Sequence, residues 1–123
     1  MGLMDRFFGK AGSNEKPPED HAVLVTLKLS DAAFGDAEER DAIHALSDRL
    51  DAAIRAAGAG EFDGDEFGDG VCTLYMYGPD ADRLFDAISS ELRGSPLTRG
   101  GSVTKRYGAA SNPAARVERV ALD

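Results

Sequence analysis

Residues Glu61–Leu92, EFDGDEFGDGVCTLYMYGPDADRLFDAISSEL, decide the fold. Val71 to Tyr77 alternates, with Cys72, Leu74 and Met76 on one side and Thr73, Tyr75 and Tyr77 on the other. That period of two marks a strand with one buried face. An irregular strand precedes it from about Gly60 to Phe67, and Gly64 marks a bulge there. Gly68, Asp69 and Gly70 suit a tight hairpin turn, because Gly and Asp tolerate positive φ. Gly78 then breaks the strand. Pro79 fits the first position of a helix whose start Asp80 and Asp82 favour electrostatically. Ala81, Leu84, Phe85, Ile88 and Leu92 form one apolar stripe on that helix, which Gly94 and Pro96 end.

The residues before this unit supply its other half. Val23, Val25, Leu27 and Leu29 share one face of a strand from His21 to Leu29, with Ala22, Leu24, Thr26 and Lys28 opposite. A helix from Ala37 to Ala57 follows, opened by Asp36 with Glu39 in a capping-box pattern and closed by Gly58. Ile43, Leu46, Leu50, Ala53, Ile54 and Ala57 line its apolar stripe. After Gly94, Ser102–Tyr107 and Arg116–Leu122 read as two further strands around a GAASNPA turn. The order β-α-β-β-α-β-β predicts an α+β sandwich with both helices on one face of an antiparallel sheet. This is the split β-α-β, ferredoxin-like plan with one added strand.

Composition narrows the function. The 123 residues suit a domain at 21–123 behind a flexible segment and linker at 1–20. Leu3, Met4, Phe7 and Phe8 fall at helical spacing within that segment. A net charge of -8 opposes binding to nucleic acid or to an anionic membrane. The charge is uneven: residues 1–93 hold 9 basic and 20 acidic side chains, and residues 94–123 hold 5 and 2. An acidic middle beside a basic end allows self-complementary contacts. No apolar run is long enough to span a membrane, no secretory signal is evident, and Cys72 is the one cysteine, so a cytoplasmic location is expected.

Catalytic and cofactor signatures are absent from the sequence, and no cofactor is expected. Asp63, Asp65, Glu66 and Asp69, with Glu61, are the candidate cation or ligand groups. An EF-hand count from Asp63 fails, since Phe67 and Leu74 occupy ligand positions; a solvated hairpin tip is the plainer reading. His21 and His44 have no partner at metal-ligand spacing and read as exposed imidazoles. Cys72 alternates inward as a small core residue.

The sheet face away from the helices is the better candidate. Lys28, Thr73, Tyr75, Tyr77 and Tyr107 are expected there with Thr26, joined by Lys105 or Arg106. A tyrosine-bearing face left wet is costly, so it is expected to bind a protein, its own copy as a homodimer or another. Coverage by other parts of the chain is the plain alternative. A second reading is a sensor or enzyme cleft between the acidic hairpin 61–70 and the helix start at 78–82.

The run from Asp63 to Phe85, D-G-D-E-F-G-D-G-V-C-T-L-Y-M-Y-G-P-D-A-D-R-L-F, resembles a small family of uncharacterised bacterial proteins. The resemblance implies a bacterial cytosolic domain and assigns no site residues.

Overall fold

Alternation in the strands and three-to-four spacing in the helices resolve into an α+β architecture: among the described residues, one five-stranded antiparallel sheet and two helices. The computed structural model describes residues 20–30 and 36–122. The amphipathic segment and linker expected before His21 lie outside these residues. The elements are β1 (His21–Lys28), α1 (Ala37–Ala57), β2 (Glu61–Gly68), β3 (Val71–Gly78), α2 (Ala81–Arg93), β4 (Gly101–Tyr107) and β5 (Arg116–Leu122), with a 3₁₀ turn at Pro96–Thr98 before β4. Across the sheet the order is β2-β3-β1-β4-β5. Each helix therefore carries the chain over one intervening strand: α1 passes from β1 to β2 across β3, and α2 from β3 to β4 across β1.

Register explains the core. Val23, Val25 and Leu27 of β1 stand opposite Met76, Leu74 and Cys72 of β3, and Val103 of β4 stands opposite Val25. All seven are buried, as are Ile43, Leu46, Leu50 and Ile54 of α1 and Leu84, Ile88 and Leu92 of α2. These residues form one cluster, so both helices cover the same face of the sheet. Truncating one such leucine to alanine would cost about 2–5 kcal/mol through lost burial and the cavity left behind. Arg49 Nε reaches Glu91 Oε1 at 3.2 Å, and Arg83 donates to the Ala57 carbonyl at 3.0 Å, tying α1 to α2.

Local chemistry sets the ends of the elements. The Asp36 carboxylate accepts from the Glu39 N–H at 2.8 Å and caps α1. The Glu39 side chain accepts from the Ser30 N–H at 3.0 Å and the Ser30 hydroxyl at 2.9 Å, fastening the end of β1 to the start of α1. Gly58 closes the helix at φ 60. Asp80 caps α2, so Pro79 stands just ahead of the cap and not at the first helical position. Ala57, assigned to the apolar stripe, is exposed in the last turn of α1. Asp69 and Gly70 alone join β2 to β3, both at positive φ (55° and 80°), the conformation a two-residue hairpin needs. The expected bulge is present: register slips between Phe62 and Gly64, leaving Asp63 as the extra residue.

The last two strands pair as a hairpin over seven consecutive residues, from Gly101↔Leu122 to Tyr107↔Arg116. Among the described residues no helix is long and apolar enough to cross a membrane.

Candidate functional site

The register fixes which side chains share the face left free by α1 and α2, the helix-free face among the described residues. One row runs Glu61, Tyr77, Ala22, Arg106, Val117 across the five strands. The next runs Gly64, Tyr75, Leu24, Thr104, Arg119, and the third Glu66, Thr73, Thr26, Ser102, Ala121. Lys28, opposite Val71, lies at the end of the face. Thr73, Tyr75, Tyr77 and Leu24 are half-buried, and Lys28 is exposed. Four of the five residues expected on this face are therefore there.

Tyr107 is the exception. It lies in register with Arg116 on the same side as Val103, which is core. Alternation along β4 sends residues 103, 105 and 107 to the helix side and 102, 104 and 106 to the open side. Arg106, not Lys105, joins the tyrosines.

The open face is polarised. Its β2 edge carries Glu61 and Glu66, and its β4–β5 side carries Arg106 and Arg119. Tyr75 Oη donates to Glu66 Oε1 at 2.8 Å, which orients the ring across the β2–β3 pair. Burial pushes the Tyr75 hydroxyl up to about 12, and the hydrogen bond and charge of Glu66 add to it. The phenol therefore remains a neutral donor. Arg119 donates to the Ser102 hydroxyl at 3.1 Å, holding a guanidinium over the opposite side of the face.

The acidic residues of the β2–β3 hairpin do not converge. Asp65 faces the helices, its Oδ2 at 3.6 Å from His44 Nε2, whereas Glu66 faces the open side. Asp63 is the exposed bulge residue, and Asp69 sits in the turn. Period-two alternation and the bulge disperse the four carboxylates. Among the described residues no group of three or more His, Cys, Asp and Glu side chains could hold a metal ion. Nor does the hairpin tip meet the start of α2. Glu61 pairs with Tyr77 beside Gly78, but Gly68 pairs with Val71 at the other end of β3. That places the Asp69–Gly70 turn roughly 23 Å away, at about 3.3 Å per residue.

Sequence reasoning missed a second cluster, at the start of α2. Lys105 is buried, and its Nζ lies 3.0 Å from Asp82 Oδ1 and 3.3 Å from Glu118 Oε1. Tyr107 Oη donates its proton to Asp82 Oδ1 at 2.6 Å, with Glu118 Oε1 also within reach at 3.2 Å. The ammonium lies 5.0 Å from the Phe85 ring centroid, and the Arg116 guanidinium stacks 4.0 Å from that of Tyr107. Hydrogen bonds from Tyr107 and Lys105 hold the Asp82 carboxyl below the usual range; those from Lys105 and Tyr107 do the same for Glu118. Burial works against the charge on Lys105, but its partners Tyr107, Asp82 and Glu118 outweigh burial and raise it. A lysine so firmly protonated is neither a base nor a nucleophile near neutral pH. The cluster locks β4, β5 and α2 together. Part of its signal was legible: Val103 is apolar, so period two puts Lys105 and Tyr107 on the core side, though not beside Asp82 and Glu118.

His21 belongs to this end of the molecule too. Its Nδ1 accepts from the Ala81 N–H at 3.0 Å, and its ring meets Tyr107 edge-on at 5.8 Å. The imidazole is half-buried and supplements the α2 cap, where an exposed side chain was expected. His44 is exposed on α1 as expected, packed edge-on against Phe67.

Burial pushes the Cys72 thiol up to about 12; the nearby Asp65 charge adds, and a backbone hydrogen bond involving Glu66 partly offsets. Buried and neutral, it is core. A cleft of about 630 Å³ opens beyond the C-terminal end of α2, bounded by Arg93, Ser95, Thr98, Arg99 and Leu122. The Thr98 hydroxyl in its wall is already engaged by the Leu92 and Ser95 carbonyls.

No family model, curated protein or solved structure matches this chain.

Proposed function

We propose that the chain is a non-enzymatic interaction module: a ferredoxin-like sandwich with one added strand that self-associates through its helix-free face. Two features support the architectural part. The strands β2-β3-β1-β4 stand in the order that two interleaved β-α-β units produce, and β5 extends that sheet at one side.

The polarity of the face carries the functional part. A copy turned about a twofold axis parallel to the strands lays its β2 edge over the β4–β5 side of the other. Glu61 and Glu66 then approach Arg106 and Arg119 twice over, around a centre of Tyr75, Tyr77 and Leu24. An isologous interface of this kind needs a self-complementary patch, with aromatic anchors inside and charges at the rim. The neutral Tyr75 hydroxyl, oriented by Glu66, suits an anchor that has lost its water.

The reading is tested by sedimentation of the full chain and of Tyr75→Ser/Tyr77→Ser over a concentration series. Association that weakens about tenfold or more in the variant, the loss expected for central aromatic anchors, supports it. Equal association in both, or none in either, contradicts it.

A further inference from the structure

The two edges of the sheet differ. β2 carries the bulge at Asp63, a feature that discourages pairing with another chain. β5 pairs with β4 without irregularity, and no described strand lies on its outer side. Residues 116 to 119 are all exposed, and Val117, at 55%, is the large hydrophobic side chain most open to solvent among the described residues.

We propose that β5 pairs antiparallel with β5 of a second copy, about a twofold axis normal to the sheet and centred on Val117. Such an axis keeps the two faces of the sheet distinct. Alternation then allows only registers centred on a residue, which faces its own twin. Centring on Glu118 or Arg119 sets like charges against each other. Centring on Val120 places Glu118 and Arg119 opposite Leu122 and Ala121. Centring on Val117 joins the two valines and sets Arg116 opposite the partner's Glu118, and Glu118 opposite the partner's Arg116.

Arg116 already lies 2.9 Å from its own Glu118 and stacks on Tyr107. Pairing therefore gives a preorganised guanidinium a second carboxylate. Charges on an edge strand ordinarily discourage pairing. In this register they alternate in sign across the junction, so they admit a copy of the same strand and oppose slipped alternatives. The product joins two five-stranded sheets through a three-residue ladder, 116 to 118 on each strand, with both helix-free faces pointing the same way. This contact lies on the sheet edge and does not rest on the face contact proposed above.

The test is light scattering on the full chain, on Val117→Lys and Val117→Asp separately, and on their equimolar mixture. Val117 is exposed, so circular dichroism should show both variants folded. Each variant alone is expected to lower the molar mass of the wild-type assembly, because like charges then face each other across the axis. The mixture is expected to restore it, since lysine then faces aspartate. A wild-type chain that stays monomeric, an assembly indifferent to both substitutions, or a mixture that fails to recover each overturns the proposal. Val117 also lies in the outermost row of the helix-free face, so two results separate the contacts: Tyr75→Ser/Tyr77→Ser, which leaves β5 pairing intact, and recovery in the mixture, which needs residue 117 to face its own twin.

Discussion

Tyr75 and Glu66 are joined across β2 and β3 by a 2.8 Å hydrogen bond on the face that neither described helix covers. Burial and this bond raise the phenol to about 12. Glu66→Gln removes the charge while keeping an acceptor, so Tyr75 should titrate closer to the ordinary tyrosine value of about 10. Absorbance titration of the variant against wild type, with Tyr75→Phe identifying the signal, checks this. An unmoved Tyr75 would mean that Glu66 does not govern it.

Acid should loosen the junction of β4, β5 and α2. Asp82 and Glu118 have folded-state pKa values below their unfolded ones. Their stabilisation is therefore present above the ordinary carboxylate range, about 3.9 to 4.3, and is lost as pH falls through the folded values. Lys105 is shifted upward, so its contribution is complete below the ordinary lysine pKa and is lost only as pH rises through its higher folded value. Urea midpoints measured from neutral pH into the acid range should fall less steeply for Asp82→Asn than for wild type. Parallel curves would contradict the assignment.

Gly60 should not tolerate a side chain. At φ 150 its added Cβ would collide with the Tyr77 carbonyl oxygen, where β2 begins beside β3. Gly64, at φ 153, has open space around the same atom. Gly64→Ala should therefore cost only backbone strain, about 1–3 kcal/mol. Gly60→Ala should cost at least about 1 kcal/mol more, because the carbonyl must move out of its ladder position. Denaturant unfolding of both variants gives the comparison.

Cys72 should resist thiol reagents in the folded protein. It is fully buried, and burial with the Asp65 charge keeps it protonated near neutral pH. Its labelling rate should rise with denaturant in step with global unfolding. Fast labelling in native buffer would show that the Cys72–Leu74–Met76 face opens locally.

The α+β class and the order of the elements were legible because their signals are local and redundant. β3 alternates without a fault, α1 and α2 carry caps beside apolar stripes, and Asp69-Gly70 has the chemistry of a two-residue turn. Much of the candidate site was legible for the same reason: once Cys72, Leu74 and Met76 are core, Thr73, Tyr75 and Tyr77 must face the other way. Tyr107 was misplaced because its hydroxyl and ring suit either face. Only its phase with Val103 decides, and that phase also carries Lys105 inward against its charge. The Lys105–Asp82–Glu118–Tyr107 cluster joins three elements whose register a single sequence does not state. The acidic hairpin misleads in the opposite direction: carboxylates adjacent in sequence are parted by the pleat and by one bulge.

The most direct measurement is the molar mass of the full chain by light scattering across a concentration series, beside Tyr75→Ser/Tyr77→Ser and Val117→Lys. The expected result is an assembly larger than a monomer, weakened by the tyrosine substitutions at the helix-free face and by the lysine at the β5 edge. A monomer at every concentration, or an assembly that the tyrosine substitutions leave intact, would contradict the claim that this face is where the protein binds its own copy.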